Sequence, residues 1–147
     1  MFDIQKFFML CTVPFIFTGC MTTTKVTPIK KNQLNDDQLI CIETNPKVRI
    51  SDFNEQIMNA FAKQNFRAKV IDKNEFSIMN CNYKVTYTAR RSWGAGIYVS
   101  EIQIKLWNDK NSLLGSADWK QNSSLASARF QTNQEKLDEI VQKLLTD

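Results

Sequence analysis

Histidine is absent from the 147 residues. Without an imidazole there is no Ser-His-Asp triad, no Cys-His nucleophile pair and no His-held zinc or haem. Long apolar runs are missing too. The longest, from Phe7 to Phe17, falls well short of the roughly 20 residues that span a bilayer. The charge of +4 is spread out, with no polybasic block. It argues against nucleic acid as a partner and permits only a mild attraction to anionic surfaces. No internal repeat or low-complexity segment is visible, and the length fits one domain.

What is present begins with an address. Lys6 and the amino terminus precede the apolar run, and Phe17-Thr18-Gly19-Cys20 closes it. A positive start, an apolar core of about 7–15 residues and a small-residue cleavage site make a secretory signal. Thr18-Gly19-Cys20 resembles the lipobox of bacterial lipoproteins, with Phe17 where leucine is commonest. The resemblance implies cleavage after residue 19, a diacylglyceryl group on Cys20 and no transmembrane helix. Met21, in place of aspartate, implies sorting to the periplasmic face of the outer membrane. The competing reading is a soluble periplasmic protein cut near Gly19.

Residues 20–37 are polar, rich in Thr and Lys, and without hydrophobic period. They are expected to form a lipidated tether reaching on the order of 50 Å, at about 3.3 Å per residue. Residues 38–147 are expected to form the domain. With Cys11 lost and Cys20 lipidated, Cys41 and Cys81 remain. In an oxidising compartment two such thiols pair as a disulfide; otherwise they stay buried and free.

Within the domain, Leu39–Ile42 reads as a buried strand. Phe53, Ile57, Ala60 and Phe61 share one helical face, predicting a helix over 52–65 with Asp52 and Glu55 at its start and Asn65 as its stop. Residues 66–71 alternate as a second strand. Tyr83–Arg90, Tyr98–Trp107 and Leu113–Trp119 then read as an antiparallel meander. Thr132 and Glu135 form a capping box ahead of Leu137, Ile140, Val141, Leu144 and Leu145, one apolar stripe. The sum is an α+β fold, β-α-β-β-β-α, with about five strands in a mixed or antiparallel sheet and two helices on one face.

The most suggestive cluster is Arg90, Arg91, Trp93 and Tyr98, around Gly94-Ala95-Gly96. Two guanidiniums beside an indole suit a carboxylate, a phosphate or a sugar ring. The plainer reading folds Trp93 back over the sheet. The glycines do not make a phosphate loop, because strand follows strand with no helix N-terminus to receive an anion. Trp107 and Trp119 are expected as cross-strand neighbours on the polar face, beside Lys105 and Lys120. The carboxylate pairs all lie in linker, loop or helix-surface positions, where they read as solvated charges. No catalytic constellation, metal site or cofactor is implied.

The ordered set Thr18-Gly19-Cys20, Ile40-Cys41-Ile42, Asn45-Pro46, Cys81, Tyr87-Thr88-Ala89, Trp93 and Tyr98-Val99 resembles a family of small bacterial envelope lipoproteins of unknown function. That resemblance implies a two-cysteine α+β domain and no activity. The expectation is a non-enzymatic, lipid-anchored periplasmic module that binds another envelope protein through its sheet or the Arg90–Tyr98 segment. The alternative is an accessory enzyme or binding protein acting on cell-wall glycan, with Trp93, Arg90 and Arg91 as sugar contacts.

Overall fold

The computed structural model describes residues 22–35, 37–94, 96–123 and 127–146. The leader and Cys20 lie outside the described residues. Six strands form one sheet in the order β1-β6-β5-β4-β2-β3. They are β1 (Thr22–Thr27), β2 (Leu39–Glu43), β3 (Arg67–Ile71), β4 (Tyr83–Gly94), β5 (Gly96–Asn108) and β6 (Leu113–Gln121), with helices α1 (Phe53–Lys63) and α2 (Asn133–Leu144). The fold is α+β, as the pattern predicts, with one strand more.

That strand is the main difference. Thr22–Thr27, expected in the tether, pair antiparallel with β6 from Thr22↔Gln121 to Thr27↔Ser116. A Thr-rich segment has no hydrophobic period, but its β-branched side chains suit an extended backbone. Ile29 then turns into the core, and its N–H donates to the Leu144 carbonyl at 2.9 Å. Gly115 makes room for this segment: a Cβ there would lie 2.4 Å from Ile29 Cγ1 and 2.7 Å from the Thr27 oxygen.

β2 pairs in parallel with both β3 and β4, while β4, β5 and β6 form the antiparallel meander. The core lies between the sheet and the helices. Ile40, Ile42, Val85, Ile102, Ile104, Leu106 and Ala117 meet Phe53, Ile57, Phe61, Leu137, Ile140, Val141 and Leu144 there. Burying each large aliphatic side chain contributes about 1.5–3 kcal/mol. α1 lies over β2 and β3, α2 over β6 and β1, and the helices pack on each other.

Both helix starts are informative. The Thr132 hydroxyl accepts from the Glu135 N–H, and the Glu135 carboxylate accepts from the Thr132 N–H at 2.7 Å, completing the capping box. Asp52 does not cap as expected. It stands in the left-handed region at φ 57 and makes no side-chain cap bond. Asn65 ends α1 at φ 66, as its residue type predicts. Cys41 and Cys81 are bonded to each other, with Cα atoms 5.8 Å apart. Together with Ile71 they form a small second core on the sheet face away from the helices.

Candidate functional site

Of the residues singled out in the sequence, the structure gathers some and separates others. The segment Ser92–Gly96, expected as a loop, is the far end of a long hairpin. β4 runs on to Gly94 and β5 starts at Gly96, with Trp93 opposite Ile97 and Ser92 opposite Tyr98. Gly96 holds φ 138, a value for which glycine is suited, and so closes the turn. The register shifts between Arg90 and Arg91, where Ser100 is the extra residue on β5. The Ser92 hydroxyl donates to Ser100 Oγ at 2.7 Å, and the Ser100 hydroxyl donates to the Arg90 carbonyl at 3.3 Å. These bonds stabilise the distorted stretch.

Alternation splits the expected cluster. Arg91 and Trp93 continue the β4 face that carries Val85 and Tyr87, and Ile97 stands opposite Trp93 on it. Arg90 and Tyr98 belong to the other face. Arg90 is paired with Glu101 at 3.6 Å, and Glu101 also binds Lys120 at 3.1 Å. Among the described residues Arg91, beside Trp93, has no such ion pair. Trp93 is 80% exposed and Ile97 54%.

Beneath this tip lies a shallow cavity of about 340 Å³, lined by Lys47, Arg49, Ile50, Arg90, Arg91, Trp93 and Ile97 among others, with no acidic side chain among the described residues. Lys47 and Arg49 were not foreseen in the sequence, because they sit in the connection between β2 and α1. A hydrogen-bond cluster holds that connection against β4. Asn45 Nδ2 donates to the Tyr87 carbonyl at 2.8 Å, the Asn45 N–H donates to the Tyr87 hydroxyl at 3.1 Å, and that hydroxyl donates to Asn54 Oδ1. Burial raises the Tyr87 pKa above its ordinary 10.0, partly offset by the Asn45 N–H. Tyr87 therefore stays a neutral donor at physiological pH.

The tryptophans predicted as neighbours lie on opposite faces. Trp119 follows Gly115 and Ala117 on the core face and is 3% exposed. Those two small residues hide the parity of β6 in the sequence. Lys136 Nζ stands 5.2 Å from the Trp119 ring centroid and donates to the Val99 carbonyl at 3.3 Å. Burial lowers the Lys136 pKa. Trp107 is half-buried on the open face, where its Nε1 donates to Thr86 Oγ1 at 2.9 Å.

A larger cavity, about 660 Å³, lies at the other end of the sheet. Asn35, Gln38, Gln64, Asn65 and Phe66 help line it, with Asp37 its one carboxylate among the described residues. Glu101 and Asp118 share a smaller cavity, but Glu101 is ion-paired and Asp118 accepts from Gln103. Among the described residues no three His, Cys, Asp or Glu side chains converge as metal ligands. The candidate site is thus a basic and aromatic hairpin tip on a helix-backed sheet.

No known protein family matches the sequence, and no curated protein matches it. Solved structures do. The PelC dodecamer from Paraburkholderia phytofirmans superposes with a TM-score of 0.63 at 12% identity, covering 84% of this chain and 99% of that one. A single-substitution variant of the same dodecamer gives 0.62 at 13% identity over the same shares. At this identity the likeness shows a shared fold.

Proposed function

We propose that the chain is a lipid-anchored, non-catalytic module of a cell-envelope assembly, held through Cys20 to the periplasmic face of the outer membrane and working in several copies. The observation that carries it is the position of β1. Thr22 begins the sheet two residues after Cys20. A lipid on that cysteine would hold the folded domain directly at the bilayer, since two residues reach at most about 7 Å.

Other features support the reading. The Cys41–Cys81 bond suits an oxidising compartment outside the cytoplasm. No helix among the described residues is long and apolar enough to cross a membrane. The structural likeness to a dodecamer supports assembly of several copies. The lack of histidine removes imidazole-based catalysis, and the carboxylates of the Glu101 cavity are already engaged.

Intact mass of protein extracted from the envelope tests the anchor. Loss of residues 1–19 with a diacylglyceryl group on Cys20 is expected, and Cys20→Ser should move the chain off the membrane fraction. A mass showing an unmodified Cys20 overturns the anchor. Native mass spectrometry in detergent tests the assembly, and a monomer at micromolar concentration overturns it.

A further inference from the structure

We propose that the tip of the β4–β5 hairpin is a second membrane contact, seating Trp93 and Ile97 in the headgroup layer of an anionic phospholipid surface. The proposal deepens the anchored reading above and rests on it for orientation.

Register places Thr22, the strand residue two positions after Cys20, and the tip at the same end of the sheet. Thr22 stands opposite Gln121, and Lys120 opposite Glu101. Gln121 is therefore beside Ser100, and Thr22 lies level with both. From Ser100 to Ile97 is three residues further along β5, about 10 Å at about 3.3 Å per residue. Cys20 is two residues from Thr22 in the chain, a reach of at most about 7 Å in whichever direction those residues run. A bilayer that takes a lipid on Cys20 therefore lies within reach of the end of the sheet that carries Trp93 and Ile97.

The chemistry of the tip fits that surface. Trp93 and Ile97 are exposed opposite each other, and tryptophan favours the membrane–water interface because its ring is apolar with one polar N–H. Lys47, Arg49 and Arg91 surround them. Among the described residues none of these three has an acidic partner, whereas Arg90 on the other face does. An apolar point with a collar of free cations complements a layer of phosphodiester anions above hydrocarbon.

The test uses the full chain, processed in cells, purified in detergent and reconstituted into phosphatidylglycerol–phosphatidylethanolamine vesicles with brominated acyl chains. Subtracting the emission of Trp93→Phe isolates the Trp93 signal from Trp107 and Trp119. That signal should shift to the blue and be quenched by bromines placed near the headgroups. Each cation removed, as in Arg49→Gln or Arg91→Gln, should lower the inserted-to-withdrawn ratio about fivefold. Unquenched Trp93 in vesicles overturns the proposal. So does Trp93 shielded from aqueous iodide in the detergent-free, unlipidated Cys20→Ser chain, which would mark a second copy as its cover. Equal quenching in neutral phosphatidylcholine vesicles overturns the anionic assignment. Intact mass on the same sample keeps the two readings apart. A lipidated chain with unquenched Trp93 sinks the tip alone, and an unlipidated chain with quenched Trp93 sinks the anchor alone.

Discussion

One hairpin shows two regimes. Along its lower half, Tyr83, Val85 and Tyr87 of β4 and Ile102, Ile104 and Leu106 of β5 are buried under the helices. Along its upper half the same face of β4 carries Arg91 and Trp93 into the open. The alternation is continuous on β4; only the cover changes. Length explains why. The strand β4 has 12 residues, about 40 Å at about 3.3 Å per residue. The helices have 11 and 12, about 16–18 Å at 1.5 Å per residue. Helices of that length shelter roughly half of such a ribbon, and the overhang is left to meet something else. Alternation tells which side a residue faces, and the reach of the opposing layer tells whether that side is dry.

The largest effects should fall in the sheltered half. Ile104 is fully buried at the centre of the core, so Ile104→Ala should cost about 2–5 kcal/mol from lost transfer energy and the cavity left behind. Urea unfolding followed by circular dichroism would show this as a lower midpoint with an unchanged slope. A cost under about 1 kcal/mol would mean that the lower half is less well packed than its burial shows.

The disulfide comes next. It ties β2 to the residue pair just before β4, across a sequence separation of 40. Replacing both cysteines by alanine should cost about 2–4 kcal/mol, most of it through the greater freedom of the unfolded chain. Thermal unfolding with and without reductant measures it. The reduced protein should match the double variant, and it should keep the upper hairpin unchanged.

The sheltered half is also the half that the sequence reveals. Its apolar residues recur at period 2 in Tyr83–Tyr87 and Ile102–Leu106 and at helical spacing in Leu137–Leu145, so both layers and their contact are legible. Asn65 and the Thr132–Glu135 box gave two helix boundaries by residue chemistry alone. What escaped depends on partners distant in the chain. Thr22–Thr27 becomes a strand only because β6 offers an unpaired edge. Lys47 and Arg49 join the site only because Asn45 is bonded to Tyr87. Arg90 still borders the cavity, but its guanidinium is engaged because Glu101 stands opposite it. Trp119 reads as a wet-face residue in the sequence because Gly115 and Ala117 carry too little apolar bulk to announce that they face inward.

Lys136 marks the border between the halves, bonded to the Val99 carbonyl and set over Trp119. Burial holds its ammonium below the ordinary 10.5. Between its folded and unfolded pKa the unfolded chain carries the extra proton, so its contribution to stability rises with pH across that window and is constant below it. Tyr87 acts in the opposite sense. Its hydroxyl titrates above 10.0 in the fold, so at higher pH the unfolded chain loses that proton first and stability falls. Lys136→Met removes the rising part alone. The variant should be about 1 kcal/mol more stable at neutral pH, where the wild type buries a charge, and this advantage should shrink as pH rises toward 10.5. Denaturant midpoints across pH 7 to 10.5 test the difference. An advantage that stays constant with pH would show that Lys136 is not desolvated in the native state.

The smallest effect on folding should come from the most conspicuous side chain. Trp93 is 80% exposed, so Trp93→Ala removes little buried area and should change unfolding free energy by no more than about 0.5 kcal/mol. The same substitution at a buried tryptophan such as Trp119 should cost about 3–5 kcal/mol. Urea midpoints of the two variants, measured side by side in detergent without vesicles, sharpen the contrast between the halves of the hairpin. A destabilisation by Trp93→Ala that approached the Trp119 value would mean that the indole folds back onto Ile50 and Ala89 in solution. The upper half would then belong to the core, with no surface left to offer. A near-zero cost leaves a large apolar side chain with no role in stability, and its role must then be sought in what it touches.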